Sequence, residues 1–172
     1  MEFERLITER FSVRSFKKEH LPEECVSKIL GAAHKAPTGC NFQPQRILVL
    51  NNDESIGKLK KCTKCHFDAP CAMLVCYNEN ESWKRPYDAA LSAPVDAAIV
   101  ATHMILEAHN IGVGGCFVMH FDPAEMKEQF NIPENIKPVV LLVFGYPSDT
   151  AAPLKLHGEF RPMEEVVVYD KF

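Results

Sequence analysis

The chain has 172 residues, of which 47% are hydrophobic, and this is enough apolar material for one buried core without a second domain. Its formal net charge of −4 is spread along the sequence, so it offers no broad basic field for a nucleic acid. The charged N-terminus lacks the apolar core of a signal peptide and no apolar run reaches membrane-spanning length, so we expect a cytoplasmic protein without membrane or nucleic-acid partners.

Residues 2–9 are predicted to form a short helix that ends at Arg10-Phe11-Ser12-Val13-Arg14-Ser15-Phe16. Side chains of an extended backbone alternate between two faces, so Arg10, Ser12 and Arg14 are expected to share one face. Two guanidiniums on either side of a hydroxyl are permanently charged donors that suit the oxygens of a terminal phosphate. The segment therefore predicts a phosphorylated ligand; the alternative is a solvated edge strand that its arginines keep soluble.

A second helix follows, and its spacing places one apolar stripe against the core: Val26, Ile29, Leu30 and Ala33. Two prolines and a glycine interrupt residues 36–44, so this segment is predicted to be a loop that carries polar amides. Residues 45–50 then form a predicted strand. A helix over 53–61 comes next, with Asp53 or Ser55 near its N-terminal cap.

The second half of the chain alternates apolar strands and helices. The predicted elements are, in order, a buried strand over 72–77, a surface loop that holds Trp83, a helix over 95–109, an apolar segment over 113–119, a helix opened by Asp122 and a core strand over 138–147. The helix over 95–109 is apolar on almost every face, which is typical of a helix buried inside a domain or a dimer. The tail, residues 148–172, ends in a β-prone run over 166–169 and is expected to pack on a partner subunit.

Seven cysteines in a chain without an export signal predict reduced thiols rather than a disulfide framework. Cys62 and Cys65 have the spacing of zinc ligands and Cys71 follows them, but the second half of a usual zinc pair is missing. Free thiols at a helix end are the favoured interpretation. A metal site and a regulatory redox role are the alternatives.

Four blocks of sequence, in this order and spacing, resemble the FMN-dependent nitroreductase family across nearly the whole chain. The blocks are residues 10–16, residues 36–44, residues 111–115, and residues 144–147 followed by Arg161-Pro162. The resemblance implies an α+β fold in which helices flank a mainly antiparallel central sheet, formed as one domain over residues 1–172. It also implies an intertwined homodimer in which residues 148–172 are an arm exchanged between subunits.

In such a dimer the resemblance implies that FMN lies at the subunit interface. The resemblance implies that Arg10, Ser12 and Arg14 hold the phosphate and the ribityl chain, with Phe11 beside them. Arg161 joins them from the tail. Glu159 is an acid at a position where the family often has a basic residue, and it would repel a phosphate if it pointed inward. The residues implied to approach the flavin from the other subunit or beside it are Pro37, Thr38, Gly39, Asn41 and Gln43.

Met119 and His120 fall where the family presents backbone N–H groups near flavin N5 and O4, and a backbone contact is favoured over a proton-donor role for the His120 ring. Gly114 and Gly115 are expected to let the backbone approach the cofactor closely. The donors would stabilise the reduced flavin, so no nucleophile, catalytic dyad or metal is predicted.

The implied activity is that of an FMN-dependent oxidoreductase. NADH or NADPH would reduce the flavin, and a nitroaromatic, a quinone or a related small conjugated acceptor would then take the electrons in a ping-pong exchange. Dehalogenation or ring oxidation on the same scaffold stays open, and so does a non-catalytic flavin-binding or redox-sensing role. The sequence leaves open the physiological acceptor and the preference between the two nicotinamides.

Overall fold

The structure is a computed structural model and describes residues 2–172. The helices are α1 (Phe3–Glu9), α2 (Glu23–His34), α3 (Asp53–Cys62), α4 (Ala93–Asn110), α5 (Pro123–Phe130) and α6 (Met163–Val166). The strands are β1 (Gln45–Leu50), β2 (Cys71–Asn78), β3 (Gly114–Val118) and β4 (Ile136–Gly145). Short 3-10 turns cover Gly39–Asn41, Glu79–Glu81 and Lys155–Gly158. The helices predicted up to residue 147 and the strands predicted from residue 45 onward are thus present, several with bounds shifted by one or two residues.

The four strands form one sheet in the order β1-β2-β4-β3, and every neighbouring pair is antiparallel. Side chains of β2 alternate between two cores, as the period of a strand requires. Met73 and Val75 pack with α2 and α4 on one face, whereas Ala72 and Leu74 pack with α3 and α5 on the other. Because helices cover both faces, the central strands are almost wholly apolar, and the predicted α+β fold with an antiparallel sheet is confirmed.

The arginine-bearing segment over residues 10–16 lies across the ends of β3 and β4 instead of forming the predicted strand. It touches them at isolated bridges, one between Ser12 and Gly115 and one between Phe16 and Pro147. The backbone N–H of Val13 donates to the carbonyl of Gly115 at 3.0 Å. Val13 itself is buried, and it holds the segment on the sheet while leaving neighbouring side chains free to face a ligand.

The cap of α3 differs from the prediction. The side chain of Asn52, not Asp53 or Ser55, caps the helix by accepting the N–H of Ser55 at 2.9 Å, and the Ser55 hydroxyl accepts the N–H of Asn52 at 3.4 Å. This reciprocal capping box uses Ser55 at the third helical position, so the sequence signal was displaced by one residue from the true cap.

The tail is the least buried part of the chain. The β-prone run over residues 166–169 forms no strand within residues 2–172, since Val166 ends α6 and the residues after it join no ladder there. A β-prone segment without a neighbouring strand has no ladder to join. Apolar side chains exposed along the tail include Leu154, Leu156, Phe160, Met163, Val168, Tyr169 and Phe172.

A further apolar stripe faces outward on α4, where Val95, Ala98 and Thr102 are exposed and Ile99 and Leu106 are half-buried. Exposed apolar surface of this extent is typical of a protein interface. Within residues 2–172, no helix combines the length and the apolarity that a bilayer span requires.

Candidate functional site

The arginine-bearing segment lies beside Cys116 of β3, because Ser12 is bridged to Gly115, the residue before it. Burial raises the pKa of Cys116, and the charge of Arg14, a hydrogen bond from the Ser12 hydroxyl and the charge of Arg10 act against that rise. Arg14 is exposed and its Nη1 donates to the carbonyl of Ser12 at 3.1 Å, while Arg10 and Ser12 are half-buried. That Arg10, Ser12 and Arg14 bind a phosphate together stays a prediction.

Part of the tail lies against this arginine-bearing segment in the same chain. The ring of Phe11 meets the ring of His157 edge-on, with centroids 6.3 Å apart. Phe11, Ser12 and Arg14 line one side of a cavity of about 210 Å³, and Leu154, Leu156 and His157 line the other. We call this space the arginine cavity.

Arg161 does not line the arginine cavity. It is exposed, and its Nη1 lies 3.5 Å from Glu165 Oε2, one helical turn further along the tail. Glu159 also points away from the arginines, because its carboxylate lies 3.6 Å from Lys155 Nζ. The tail approaches the segment through His157, and the predicted contribution of Arg161 stays a prediction.

The proline-amide loop, residues 37–43, is anchored at the opposite side of the molecule by a buried carboxylate. Asp96 in the first turn of α4 is 3% exposed, and its Oδ1 accepts the backbone N–H of Gly39 at 2.9 Å. Its Oδ2 accepts the hydroxyl of Ser92 at 2.8 Å. A side chain at Gly39 would place its Cβ 2.8 Å from Ser92 Oγ, so the close approach of the loop to α4 requires glycine there.

Three residues of this loop adopt left-handed backbone conformations without being glycine. They are Cys40, Asn41 and Gln43, at φ values of 48°, 58° and 51°. Each such conformation costs on the order of 1 kcal/mol and persists where surrounding contacts enforce it, which is typical of functional loops. Here Asp96 holds Gly39, and the hydroxyl of Thr38 accepts the N–H of Gln43 at 3.1 Å.

The predicted loop residues are split between a cavity and open surface. Pro37, Thr38 and Gly39 line one side of a cavity of about 370 Å³, whereas Asn41 and Gln43 are exposed on the same loop. Asp96 was not predicted as a site residue. The signal that could have revealed it is a carboxylate in the first turn of a helix whose next residues are almost entirely apolar.

Met119 and His120, which follow β3, line a further cavity, separate from the two described above. The hydroxyl of Thr63 donates to the carbonyl of His120 at 2.5 Å, and Cys65 Sγ lies 3.9 Å from His120 Nδ1. Neither backbone N–H of Met119 and His120 has a protein acceptor among residues 2–172. The cavity has a volume of about 600 Å³ and is lined by Lys60, Lys61, Cys62, Thr63, Lys64, Met119, His120, Phe121 and Asp122.

We call this space the lysine cavity, because three lysines from the end of α3 and the turn after it line one wall. Lys60 is paired with Asp68 at 2.7 Å, while Lys61 and Lys64 make no ion pair within the described chain. These lysines were not predicted, since their sequence resembles the solvated end of an amphipathic helix. The cavity wall is therefore net basic, which favours a ligand that carries or develops negative charge.

The neighbours of the two glycines in β3 are protein atoms. A side chain at Gly114 would place its Cβ 2.8 Å from Val13 Cγ2, and one at Gly115 would meet the ring of Phe144 at 3.0 Å. The close approach that we expected toward a cofactor is made by the arginine-bearing segment and by the core.

All seven cysteines are free thiols. Burial raises the pKa of Cys62 to about 11 and that of Cys71 to about 12, so both are protonated, whereas Cys65 is half-exposed. No three His, Cys, Asp or Glu side chains within residues 2–172 gather closely enough to hold a metal ion.

The length of α4 separates the proline-amide loop, which we call the loop group, from Arg10, Ser12 and Arg14, which we call the arginine group. Asp96 stands at the start of the helix, and His109 stands near its end, where burial and the charge of Arg10 lower the pKa of His109. A helix rises 1.5 Å per residue, so the two ends are about 20 Å apart. The arginine group and the lysine cavity, in contrast, are joined directly by β3, which starts beside Ser12 and ends before Met119.

Comparison with known proteins gives consistent matches over this whole arrangement. A crystal structure of a nitroreductase family protein from Clostridium difficile 630 matches with a TM-score of 0.94 at 35% identity, over 100% of both chains. A Methanothermobacter thermautotrophicus protein provisionally named NADH dehydrogenase/NAD(P)H nitroreductase is 26% identical over 83% of this chain and 76% of its own length. A Bacillus subtilis protein named FMN reductase [NAD(P)H] is 23% identical over 85% of this chain and 66% of its own length.

The model of the Nitroreductase family matches residues 7–69 and 60–146, a span that runs from the end of α1 to the residue after β4 and includes the arginine-bearing segment, the proline-amide loop and the lysine cavity. The chain belongs to the nitroreductase family.

Proposed function

We propose that this protein is an oxidoreductase that binds FMN, oxidises NADH or NADPH and reduces a small conjugated acceptor, such as a nitroaromatic or a quinone, in the cytoplasm. The observation that carries the proposal is the arginine cavity, which Ser12 and Arg14 line on the segment that also carries Arg10. Family membership and the names of relatives that use FMN and NAD(P)H support the class of activity and the cofactors.

The residues present fit FMN. The arginine cavity offers the guanidinium of Arg14 and the hydroxyl of Ser12, which suit a phosphate, and β3 leads from it to the lysine cavity. The wall of the lysine cavity is basic, and at its edge Met119 and His120 have unpaired backbone N–H groups. When bound, FMN supplies a ring system that takes a hydride from the nicotinamide and returns two electrons to an acceptor.

The protein's own part is to bind, to orient and to stabilise charge. Arg10 and Arg14 bind the phosphate, and Lys61 and Lys64 offset the negative charge that builds up in the lysine cavity on reduction. Thr63 holds the carbonyl of His120, so the neighbouring N–H groups stay oriented as donors without any proton transfer from the imidazole ring. Since one open site serves both partners, the nicotinamide leaves before the acceptor enters, which is the ping-pong order.

We also propose that residues 1–172 form one domain that works as a homodimer, with residues 148–172 as an arm on the partner. The exposed stripe on α4 and the apolar tail supply the surfaces. Loop 37–43 lies about 20 Å from the arginine group along its own α4, so a second copy is the simplest way to bring both groups to one cofactor. Arg161 then joins the phosphate from the arm.

The binding of FMN tests this proposal. A charge-assisted hydrogen bond contributes about 1.5–3 kcal/mol, so Arg14→Ala is expected to raise the Kd for FMN by about 10- to 100-fold. Arg161→Ala is expected to weaken binding in the same direction. The measurement is a titration of flavin-free protein, followed by the quenching of FMN fluorescence.

Arg5→Ala is the matched control, because Arg5 is exposed on α1 and paired with Glu9. It should leave the Kd unchanged. Wild-type protein loaded with FMN should lose its flavin absorption band when NADH or NADPH is added without oxygen. If neither nicotinamide bleaches that band, or if Arg14→Ala binds FMN as tightly as wild type, the proposal is wrong.

A further inference from the structure

We propose that the cavity beside Trp83 binds the uncharged planar ring of the electron acceptor. We call it the Trp83 cavity; its volume is about 370 Å³, and its apolar walls come from Trp83, Leu91, Val95 and Ile99. The inference rests on the proposed function and adds which part of the chain selects the acceptor and what chemistry it selects.

Trp83 is held in place by hydrogen bonds to the start of α4. Its carbonyl accepts the N–H of Ser92 at 3.0 Å and the hydroxyl of Ser82 at 3.0 Å. Ser82 is buried, and its Oγ also accepts the N–H of Ala93 at 3.1 Å. The backbone that carries the indole is therefore fixed, which is what a preformed binding wall requires.

The cavity adjoins the loop that we propose to contact the flavin. A Cβ built on Gly39 would lie 3.6 Å from Trp83 Cβ and 2.8 Å from Ser92 Oγ, so loop and tryptophan are direct neighbours. Pro37 and Thr38 of the same loop also line the cavity. In the proposed dimer this loop lies beside the partner's cofactor. Because the loop also lines the Trp83 cavity, the cavity lies beside that cofactor as well.

A short hairpin over residues 84–91 forms the outer side. Lys84 and Leu91 pair as an antiparallel bridge, and the N–H of Arg85 donates to the carbonyl of Ala90 at 2.9 Å. Tyr87 stands at the tip, 95% exposed and outside the cavity lining. The hairpin thus forms the outer wall of the Trp83 cavity, although the chain contains no long insertion.

Among the residues that line the cavity no cation is left unpaired, which decides the class of ligand. Arg85 donates to both carboxylate oxygens of Asp88, at 2.7 and 2.5 Å. Asp96 is a buried carboxylate whose oxygens accept hydrogen bonds from the neutral donors of Gly39 and Ser92. A tryptophan beside aliphatic side chains favours the stacking of a planar ring, and a cavity with a carboxylate and no free cation favours an uncharged ring over an anionic one.

Trp83 is the single tryptophan of the chain, so its fluorescence reports on this cavity alone. We choose 4-nitrobenzamide and 4-nitrobenzoate as probes, because they match in size and differ in charge. In oxidised holoenzyme without nicotinamide neither probe is reduced, so a saturable loss of tryptophan emission measures binding. The amide is expected to bind at least about tenfold more tightly than the carboxylate.

Trp83→Ala is expected to raise the KM for 4-nitrobenzamide about tenfold. Trp83→Phe keeps an aromatic face and should return most of the lost affinity. Tyr87→Ala is the matched control on the same hairpin, and its KM should equal that of wild type.

An unchanged KM in Trp83→Ala, or quenching that does not saturate for either probe, would overturn the inference. Equal binding of the amide and the carboxylate would overturn the preference for an uncharged ring. Failure of wild-type protein to accept hydride would instead count against the proposed function, and the quenching titration would still decide whether the cavity binds an aromatic ring.

Discussion

Two buried thiols in β2 make the free energy of unfolding decrease as the pH rises into the alkaline range. Cys71 and Cys76 lie in β2, at most 2% exposed, and burial raises the pKa of each from 9.0 to about 12. In the unfolded chain both would ionise near pH 9, so their contribution to stability is complete below pH 9 and is lost as the pH rises toward 12.

At pH 10 the loss is about 1.4 kcal/mol for each thiol, because one unit above the unfolded pKa corresponds to that free energy. Urea unfolding at pH 8 and pH 10 measures it. Cys71→Ala should reduce the pH-dependent difference by one thiol's share, whereas Cys40→Ala, at an exposed position, should not change it. A difference that is equal in wild type and Cys71→Ala would contradict the burial argument.

Single residues also show where sequence reasoning reaches its limit. Alternation along an extended segment is a local property, so it could predict that Ser12 and Arg14 share a cavity, while the part of Arg10 in the site stays a prediction. Asp96 could not be predicted, because its partner Gly39 lies 57 residues away in the chain and meets it only through the fold. The lysines around His120 were missed for the same reason, since α3 and β3 come together only through tertiary packing.

At the scale of elements, the contact between β3 and the arginine-bearing segment is too tight to admit an added side chain. A Cβ on Gly114 would come within 2.8 Å of Val13 Cγ2 and 3.0 Å of Pro147 Cγ. Val13 is buried and β-branched, so it cannot swing aside without moving its backbone. Gly114→Ala is therefore expected to lower the free energy of unfolding by about 1–3 kcal/mol and to weaken FMN binding about tenfold.

The control is the same substitution at Gly57, within α3. A Cβ there meets nothing within 4 Å, and alanine is the better helix former, so Gly57→Ala should stabilise the fold by about 1 kcal/mol and leave FMN binding unchanged. Urea unfolding and the FMN titration are measured on both variants. Normal FMN binding by Gly114→Ala would show that the segment does not depend on this contact.

Elements whose pattern is set by their own burial were predictable. The continuous apolar run of β2 and the stripe of α2 are examples, because each faces one core along its length. The tail was not predictable in the same way. Val167–Tyr169 have the composition of a strand, but a strand needs a neighbour, and no strand lies beside them within residues 2–172.

At the scale of the whole molecule, apolar side chains stay exposed on α4 and along the tail, which is typical of a surface that a partner covers. The surface ion pairs are largely exposed, and those within α1, α2 and α3 span one helical turn, so they contribute little to holding the fold together. Stability must come from the two cores and, in the proposed dimer, from burial of this surface.

The span of α4 has a genetic consequence. If each catalytic centre takes its arginines from one chain and its proline-amide loop from the other, Arg14→Ala, at an FMN concentration below its raised Kd, and Gly39→Val inactivate different halves. In a mixed dimer both lesions fall in one centre, and the other centre is wild type. When the two inactive variants are mixed at equal concentration and exchange subunits, half of the dimers are mixed and each of these has one intact centre. The mixture should therefore regain about a quarter of the wild-type turnover. A mixture that stays as inactive as its parents would mean that each chain builds its centre alone.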